Sequence, residues 1–248
     1  MDLDAIYAIA HVAKEFIPLV EKFSPGPIAY IFPKRKPSLF TAGLNTVAVR
    51  VPDYLLANQM LLAAGVPVAA PSANISGKPS GTRIGDIVSD FDGKVDMILR
   101  GTDSLIGIES TVVDFSGESP VILRPGKITE EDLRVYLPGL RKNNFPEYQA
   151  LVSPGLKYRH YAPECEVIML EDMSQVGEDN SGQIGFDLVK KTKLDCALGD
   201  NEEYMHFLYS FFTDCDKKNI KKAYCEIPKN DKYRDSLLNR IEKAIKKS

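Results

Sequence analysis

The residues best suited to chemistry in this chain lie in the loop Pro71-Ser72-Ala73-Asn74-Ile75-Ser76-Gly77-Lys78-Pro79-Ser80-Gly81-Thr82, which follows the apolar run Gly65-Val66-Pro67-Val68-Ala69-Ala70. Short hydroxyl side chains, one amide and two glycines let such a loop bring several backbone N–H groups close to a bound anion, as glycine-rich phosphate loops do. The same residue types also build ordinary turns, so the loop by itself leaves both readings open. Two further polar elements favour a ligand site: Gly107-Ile108-Glu109-Ser110-Thr111-Val112-Val113-Asp114, and Val121-Ile122-Leu123-Arg124-Pro125-Gly126. Together the three elements offer hydroxyls and a cation at strand ends. In Thr46-Val47-Ala48-Val49-Arg50-Val51 the strict alternation places Thr46 and Arg50 on one face of a strand. A guanidinium there presents paired donors in the planar geometry that a carboxylate accepts. No histidine and acid fall into a pattern that would activate Ser110, so no covalent nucleophile is expected. Glu109 and Asp114 remain open as a general acid/base pair.

The elements that must position these residues follow from the hydrophobic pattern. Apolar residues at helical spacing between Ala5 and Phe23, interrupted at Pro18, predict a helical opening, and Pro27 to Phe32 reads as a strand. Strands are also expected at Thr46 to Val51, Val66 to Ala70, Met97 to Leu99, Thr111 to Phe115 and Pro120 to Leu123. Helices are expected at Tyr54 to Ala64, capped by Asp53, at Ile84 to Asp90, and at Glu130 to Leu137, capped by Thr129. After Leu137 the breakers Pro138-Gly139, Asn143-Asn144, Pro146 and Ser153-Pro154-Gly155 mark a linker. Beyond it the pattern runs strand (Val167 to Leu170), strand (Gln183 to Phe186), helix (Glu202 to Phe212), strand (Lys222 to Ile227), helix (Ser236 to Lys246). That alternation predicts a small Rossmann-like α/β domain with a parallel sheet. The division is thus 1–138, a linker over 139–163, and 164–248.

With 248 residues, 44% of them hydrophobic, the chain can bury a substantial core. Its net charge of −3 argues against a protein whose main task is to grip a phosphate backbone, so tRNA is not expected to bind strongly. No apolar run approaches membrane-spanning length and no signal pattern opens the chain, which predicts a cytoplasmic protein without membrane contact. The four cysteines lack metal or disulfide spacing and are expected to be reduced and packed.

The motifs PSANISGKPSGT, GIESTVVD, RPGKIT and SPGLKYRHYAP together resemble the Sua5/YrdC/YciO family, and the last of them resembles its Sua5 branch. The match runs from about Ile17 to the C-terminus. The resemblance implies a twisted, open, mixed α/β sheet with helices, followed by the smaller C-terminal domain. It implies the synthesis of threonylcarbamoyl-adenylate and pyrophosphate from L-threonine, bicarbonate and ATP. The product would pass to the downstream transferase machinery that modifies adenosine 37 of tRNA to t6A. Carried over residue by residue, it assigns Arg50, the backbone of Ala70, and Ser110 to L-threonine. Thr46, Ser72, Asn74, Ser80 and Arg124 go to ATP or the adenylate. His160, flanked by Tyr158 and Arg159, goes to the linker segment that folds over the nucleotide and excludes water.

The implied chemistry needs no protein nucleophile. The threonine amine takes up CO2 or bicarbonate as a carbamate, whose oxygen attacks the α-phosphate of ATP and expels pyrophosphate. Positioning and charge neutralisation by arginines, backbone amides and Mg2+ arriving with ATP would carry catalysis. The family's opening TxTxYGL-type strand and KxRP-type motif have no counterpart among these residues, and Lys34-Arg35-Lys36-Pro37 sits in a different turn. The expectation is therefore weak or absent synthase activity from this chain by itself, and an exposed sheet edge prone to association. A non-catalytic RNA-binding or assembly module of the same superfamily is the alternative, and a carbamoyltransferase-type domain a third.

Overall fold

The computed structural model describes residues 3–37, 41–142, 162–177 and 180–245. The packing forms two units that interleave along the chain: Met1–Ala70 with Glu109–Pro154, and Pro71–Ile108 with Gly155–Ser248. The sequence divides at 138–139, whereas packing moves the segment from Pro71 to Ile108 into the unit of the C-terminal residues.

The first unit is built on a mixed five-stranded sheet in the order β2-β1-β3-β4-β5. Its strands are β1 (Ile28–Pro33), β2 (Thr46–Val49), β3 (Thr111–Asp114), β4 (Val121–Arg124) and the two-residue β5 (Arg141–Lys142). β1 runs antiparallel to β2 and parallel to β3, and β3 runs antiparallel to β4. Alternation along β1 puts Ile28, Tyr30 and Phe32 in the core, where Tyr30 and Phe32 meet Phe115 at ring-centroid distances of 6.2 and 5.0 Å. The opening stripe folds as α1 (Asp4–Ile9), a 3-10 turn (Lys14–Phe16) and α2 (Ile17–Phe23), with Pro18 in the first turn of α2, where its missing N–H costs nothing. Ile6, Leu19 and Val20 cover the sheet from this side.

Helix α3 spans Leu55–Ala64 and ends on Gly65 in the left-handed region. Asp53 does not cap it: Tyr54 holds the N-cap position and no side chain accepts from the first turn. Helix α5 (Glu130–Arg134) begins with the expected cap, Thr129 accepting from the Asp132 N–H while Asp132 accepts from the Thr129 N–H. It closes three residues earlier than its periodicity predicts, although Leu137 is still buried.

Two expected strands do not form. Among the described residues, 66–70 and 97–99 have no ladder partner, and Val66, Val68, Met97 and Leu99 are exposed. An apolar run becomes a buried strand only when neighbours satisfy its backbone and cover its faces, and Pro67 lacks one of the donors such a ladder needs.

In the second unit, β6 (Glu166–Leu170), β7 (Ser181–Gly185), β8 (Leu194–Ala197) and β9 (Lys222–Glu226) form an all-parallel sheet in the order β6-β9-β7-β8. Helix α6 (Asn201–Lys217), capped by Asp200, and helix α7 (Arg234–Ile245) bury Tyr204, Leu208, Phe212, Leu237 and Ile241 with Ile184 of the sheet. This is the parallel α/β domain that the alternation predicts. The edge strand β8 was not legible, since its four residues alternate between half-buried and exposed and are flanked by charge. The same unit contains α4 (Ile84–Phe91), one residue longer than predicted. All four cysteines are free, with Cys165, Cys215 and Cys225 buried. Among the described residues, no helix is long and apolar enough to cross a membrane.

Candidate functional site

Strand direction brings three of the sequence-predicted residues to one end of the first unit's sheet. Arg50 follows the C-terminal end of β2, which lies beside the N-terminal end of the antiparallel β1. Ser110 precedes β3, parallel to β1, and Arg124 closes β4, antiparallel to β3. Hydrogen bonds tie that end together. The Arg50 Nε donates to the Gly26 carbonyl at 3.0 Å, the Gly26 N–H donates to the Val51 carbonyl at 2.9 Å, and the Thr111 N–H donates to the Pro27 carbonyl at 3.0 Å. Arg124 donates from Nε to the Ser110 carbonyl at 2.9 Å and from a terminal nitrogen to Ser110 Oγ at 3.2 Å.

Arg50 is held by Nε alone; among the described residues no hydrogen bond or ion pair engages its two terminal nitrogens. The protein around the guanidinium removes some of its hydration and lowers its pKa from the ordinary value, yet an arginine remains a cation in proteins. It is therefore an anchored cation with two donors available to an incoming carboxylate. Ser110, 8% exposed, is held on the other side by Arg124. Asp114 is buried and accepts from the Ser116 N–H at 2.8 Å and the Ser116 hydroxyl at 2.7 Å, which engages it in a turn.

Thr46 does not join this group. It pairs with Pro33 at the far end of β1, and Arg50 lies four residue steps further along the chain, about 13 Å at the usual rise. The shared face was legible in the alternation, whereas the distance along the strand sets the two apart. Ala70 lies in the exposed, unpaired stretch.

The loop residues Ser72, Asn74 and Ser80 belong to the second unit. A turn closed by Lys78 N–H to the Ile75 carbonyl, with Gly77 at φ +86°, shapes the loop. Asn74 braces it by donating from Nδ2 to the carbonyls of Ile75 and Lys78 at 3.0 and 3.2 Å, and its Oδ1, shielded from solvent, has no partner among the described residues. Ser72 is exposed and Ser80 half-buried. His160, with Tyr158 and Arg159 and most of the expected linker, lies outside the described residues.

Gly126 is a site-shaping residue that composition alone did not single out. A Cβ there would sit 2.5 Å from the Thr111 nitrogen and 2.9 Å from the Glu109 carbonyl, so only glycine lets the turn after Arg124 lie against the backbone on either side of Ser110. The quoted Arg-Pro-Gly motif held that signal.

A mixed sheet with an anchored arginine and a serine at one end, and a parallel α/β unit beside it in the chain, define a two-unit α/β protein whose first sheet ends in cationic and hydroxyl side chains. Comparison with known proteins makes the class specific. Residues 1–126 match the Sua5/YciO/YrdC family model, described as telomere recombination, and residues 128–245 match the threonylcarbamoyl-AMP synthase C-terminal domain model. The chain belongs to the Sua5/YciO/YrdC family. It is 42% identical over 158 residues to a threonylcarbamoyl-AMP synthase of Pyrococcus abyssi and 40% identical over 158 residues to that of Bacillus subtilis, each alignment covering 62% of this chain and 46% of the relative. The chain thus matches about half the length of these relatives. Among solved structures, P. abyssi Sua5 complexed with L-threonine superposes with a TM-score of 0.87 at 31% identity, covering 98% of this chain and 78% of that one. A doubly substituted variant of P. abyssi Sua5 also gives a TM-score of 0.87, at 30% identity, covering 98% of this chain and 76% of that one.

Proposed function

We propose that this chain is an L-threonylcarbamoyladenylate synthase, which joins L-threonine, bicarbonate and ATP into threonylcarbamoyl-AMP and pyrophosphate for t6A modification of tRNA adenosine 37 in the cytoplasm. The observation that carries this reading is the meeting of Arg50, Ser110 and Arg124 at one end of the sheet. The resemblance to synthases, and to a Sua5 structure complexed with L-threonine, supports it.

Arg50, anchored through Nε, offers its terminal nitrogens to the threonine carboxylate, and Ser110 offers a hydroxyl to the same substrate. Holding the carboxylate at Arg50 leaves the amine to take up CO2 or bicarbonate as a carbamate. That carbamate oxygen then attacks the α-phosphate, and pyrophosphate leaves with the electrons of the broken bond. No protein atom is covalently modified, so the chain contributes position and charge. Arg124 adds positive charge beside Ser110 and orients its hydroxyl. The loop of Ser72, Asn74 and Ser80 serves the nucleotide, with the unpartnered Asn74 Oδ1 as an acceptor for a ligand N–H or O–H. Thr46 and His160 enter the reading as nucleotide contacts through the resemblance, and Ala70 as a threonine contact. Mg2+ bound to the triphosphate would shield its charge.

Calorimetric titration tests this reading. L-Threonine should bind the chain, and Arg50→Ala should weaken it by about tenfold or more, since a charge-assisted hydrogen bond is worth about 1.5–3 kcal/mol. ATP affinity should change far less. Absence of threonine and nucleotide binding, together with salt-dependent binding of tRNA, would replace the enzyme with an RNA-binding module.

A further inference from the structure

The segment that carries the nucleotide loop is seated on one face of α6. At one seat Arg83, three residues after Ser80, makes a two-pronged contact with Asp214, Nη1 to Oδ2 at 2.9 Å and Nη2 to Oδ1 at 2.5 Å. The Arg83 Nε donates to Asp86 Oδ2 at 2.8 Å, and Lys217 donates to the other oxygen of Asp86, a residue only 7% exposed. At a second seat the Leu105 carbonyl meets His206 Nδ1 at 3.1 Å. At a third, Gly107 (φ +84°) approaches so closely that a Cβ would lie 2.3 Å from the Met205 carbonyl oxygen. Residues 206, 210, 214 and 217 recur at intervals of four, four and three, one helical stripe, and His206, Ser210 and Asp214 of that stripe line a cavity of about 290 Å3 together with Thr82, Arg83, Asp103 and Ser104 and with Leu194 to Cys196 of β8.

Two of these residues come from opposite halves of the chain. Arg83 falls within the match to the first family model and Asp214 within the match to the second. Planar two-pronged contacts restrict orientation as well as distance, and Arg83 engages both Asp214 and Asp86, leaving little rotational freedom at the root of the loop. Immediately before it, the carbonyl of the buried Thr82 accepts from the Ser104 N–H at 2.8 Å, and Gly81 packs against Ile87 where a Cβ would lie 2.4 Å from its Cδ1. The stretch from Ser80 to α4 is thus locked from both flanks.

We propose that Arg83, Asp86, Asp214 and Lys217 are positioning residues that clamp the loop of Ser72, Asn74 and Ser80 onto the C-terminal domain, so that nucleotide affinity depends on a helix remote in sequence. The inference rests on the nucleotide reading of that loop.

The test uses the full chain with Arg83→Ala, Asp214→Ala, the double substitution and Arg83→Lys. Hydrogen exchange is followed over residues 72–82, and calorimetry measures the affinities of ATP and of L-threonine. Each single alanine variant should accelerate exchange in 72–82 and weaken ATP by about tenfold, with threonine within about twofold. The double variant should be no worse than Arg83→Ala alone, because Asp214→Ala removes only a contact that Arg83→Ala has already removed. Arg83→Lys should recover part of the ATP affinity by keeping the charge without the fork. Unchanged exchange in 72–82 in the alanine variants overturns the clamp, as does unchanged ATP affinity where the parent chain binds ATP. If the parent chain binds no ATP, the nucleotide reading fails while accelerated exchange still upholds the mechanical clamp. Should Asp214→Ala not fold, Arg83→Lys and Lys217→Gln provide the same comparison with less disturbance.

Discussion

Arg124 and Gly126 place two different physical demands on one short motif. The arginine needs length and a fork to reach both the carbonyl and the hydroxyl of Ser110, whereas the glycine needs the absence of a side chain. Gly126→Ala should therefore overpack the turn against Glu109 and Thr111 and destabilise the chain by about 2 kcal/mol, read as a lower urea midpoint at unchanged slope. A midpoint equal to that of the parent would mean that the turn relaxes freely and that Gly126 does not shape the Ser110 end of β3. The residue types of this motif were legible in the sequence. The need for glycine was not, because Gly126 meets Thr111 only through the pairing of β3 with β4.

At the scale of elements, the contact between α4 and α6 turns on one carboxylate. Burial alone would raise the Asp86 pKa, but hydrogen bonds from Lys217 and Arg83 outweigh it and hold the value below that of an ordinary aspartate. A folded pKa below the unfolded one contributes stability that is fully present above the unfolded value, about 3.9, and is lost as pH falls through the folded value. Asp86→Asn should cost about 1 kcal/mol at pH 7, a modest figure because Arg83 and Lys217 are partly solvated. The deficit should be the same at pH 5 and shrink towards pH 3 as the parent carboxylate protonates. Urea midpoints at the three pH values measure this, and a deficit that does not change with pH would show that Asp86 is not held as a paired anion. Helices α4 and α6 were both legible from periodicity; their contact was not, since Arg83 and Asp214 are 131 residues apart.

Across the whole molecule, the two packing units do not follow chain order, and each leaves apolar surface in water. In the first, Leu55 and Leu62 of α3 and the unpaired Val66 are more than 60% exposed; in the second, Met97 and Leu105 are 74% and 86% exposed. Exposed aliphatic side chains beside unpaired backbone favour self-association. Sedimentation velocity should show concentration-dependent association at concentrations on the order of 10 μM, reduced by Leu62→Lys with Val66→Lys. A single monomeric species over that range, or association untouched by the two substitutions, would mean that these residues are not sticky in solution.

What the sequence determined by itself was local or periodic. Thr129 caps α5 because its partner lies three residues away, β1 follows from its short apolar run and β2 from alternation, and the C-terminal βα order predicts a parallel sheet. Arg50 could be singled out because residue type and strand face are both sequence properties. The tertiary structure alone decided which polar residues meet. Strand direction gathers Arg50, Ser110 and Arg124 while sending Thr46 to the opposite end, and the absence of ladder partners leaves Val66–Ala70 and Met97–Leu99 unpaired. The reason is that periodicity reports how a segment would bury itself if covered, whereas the covering partner, the strand direction and the ion pair across 131 residues depend on non-local contacts.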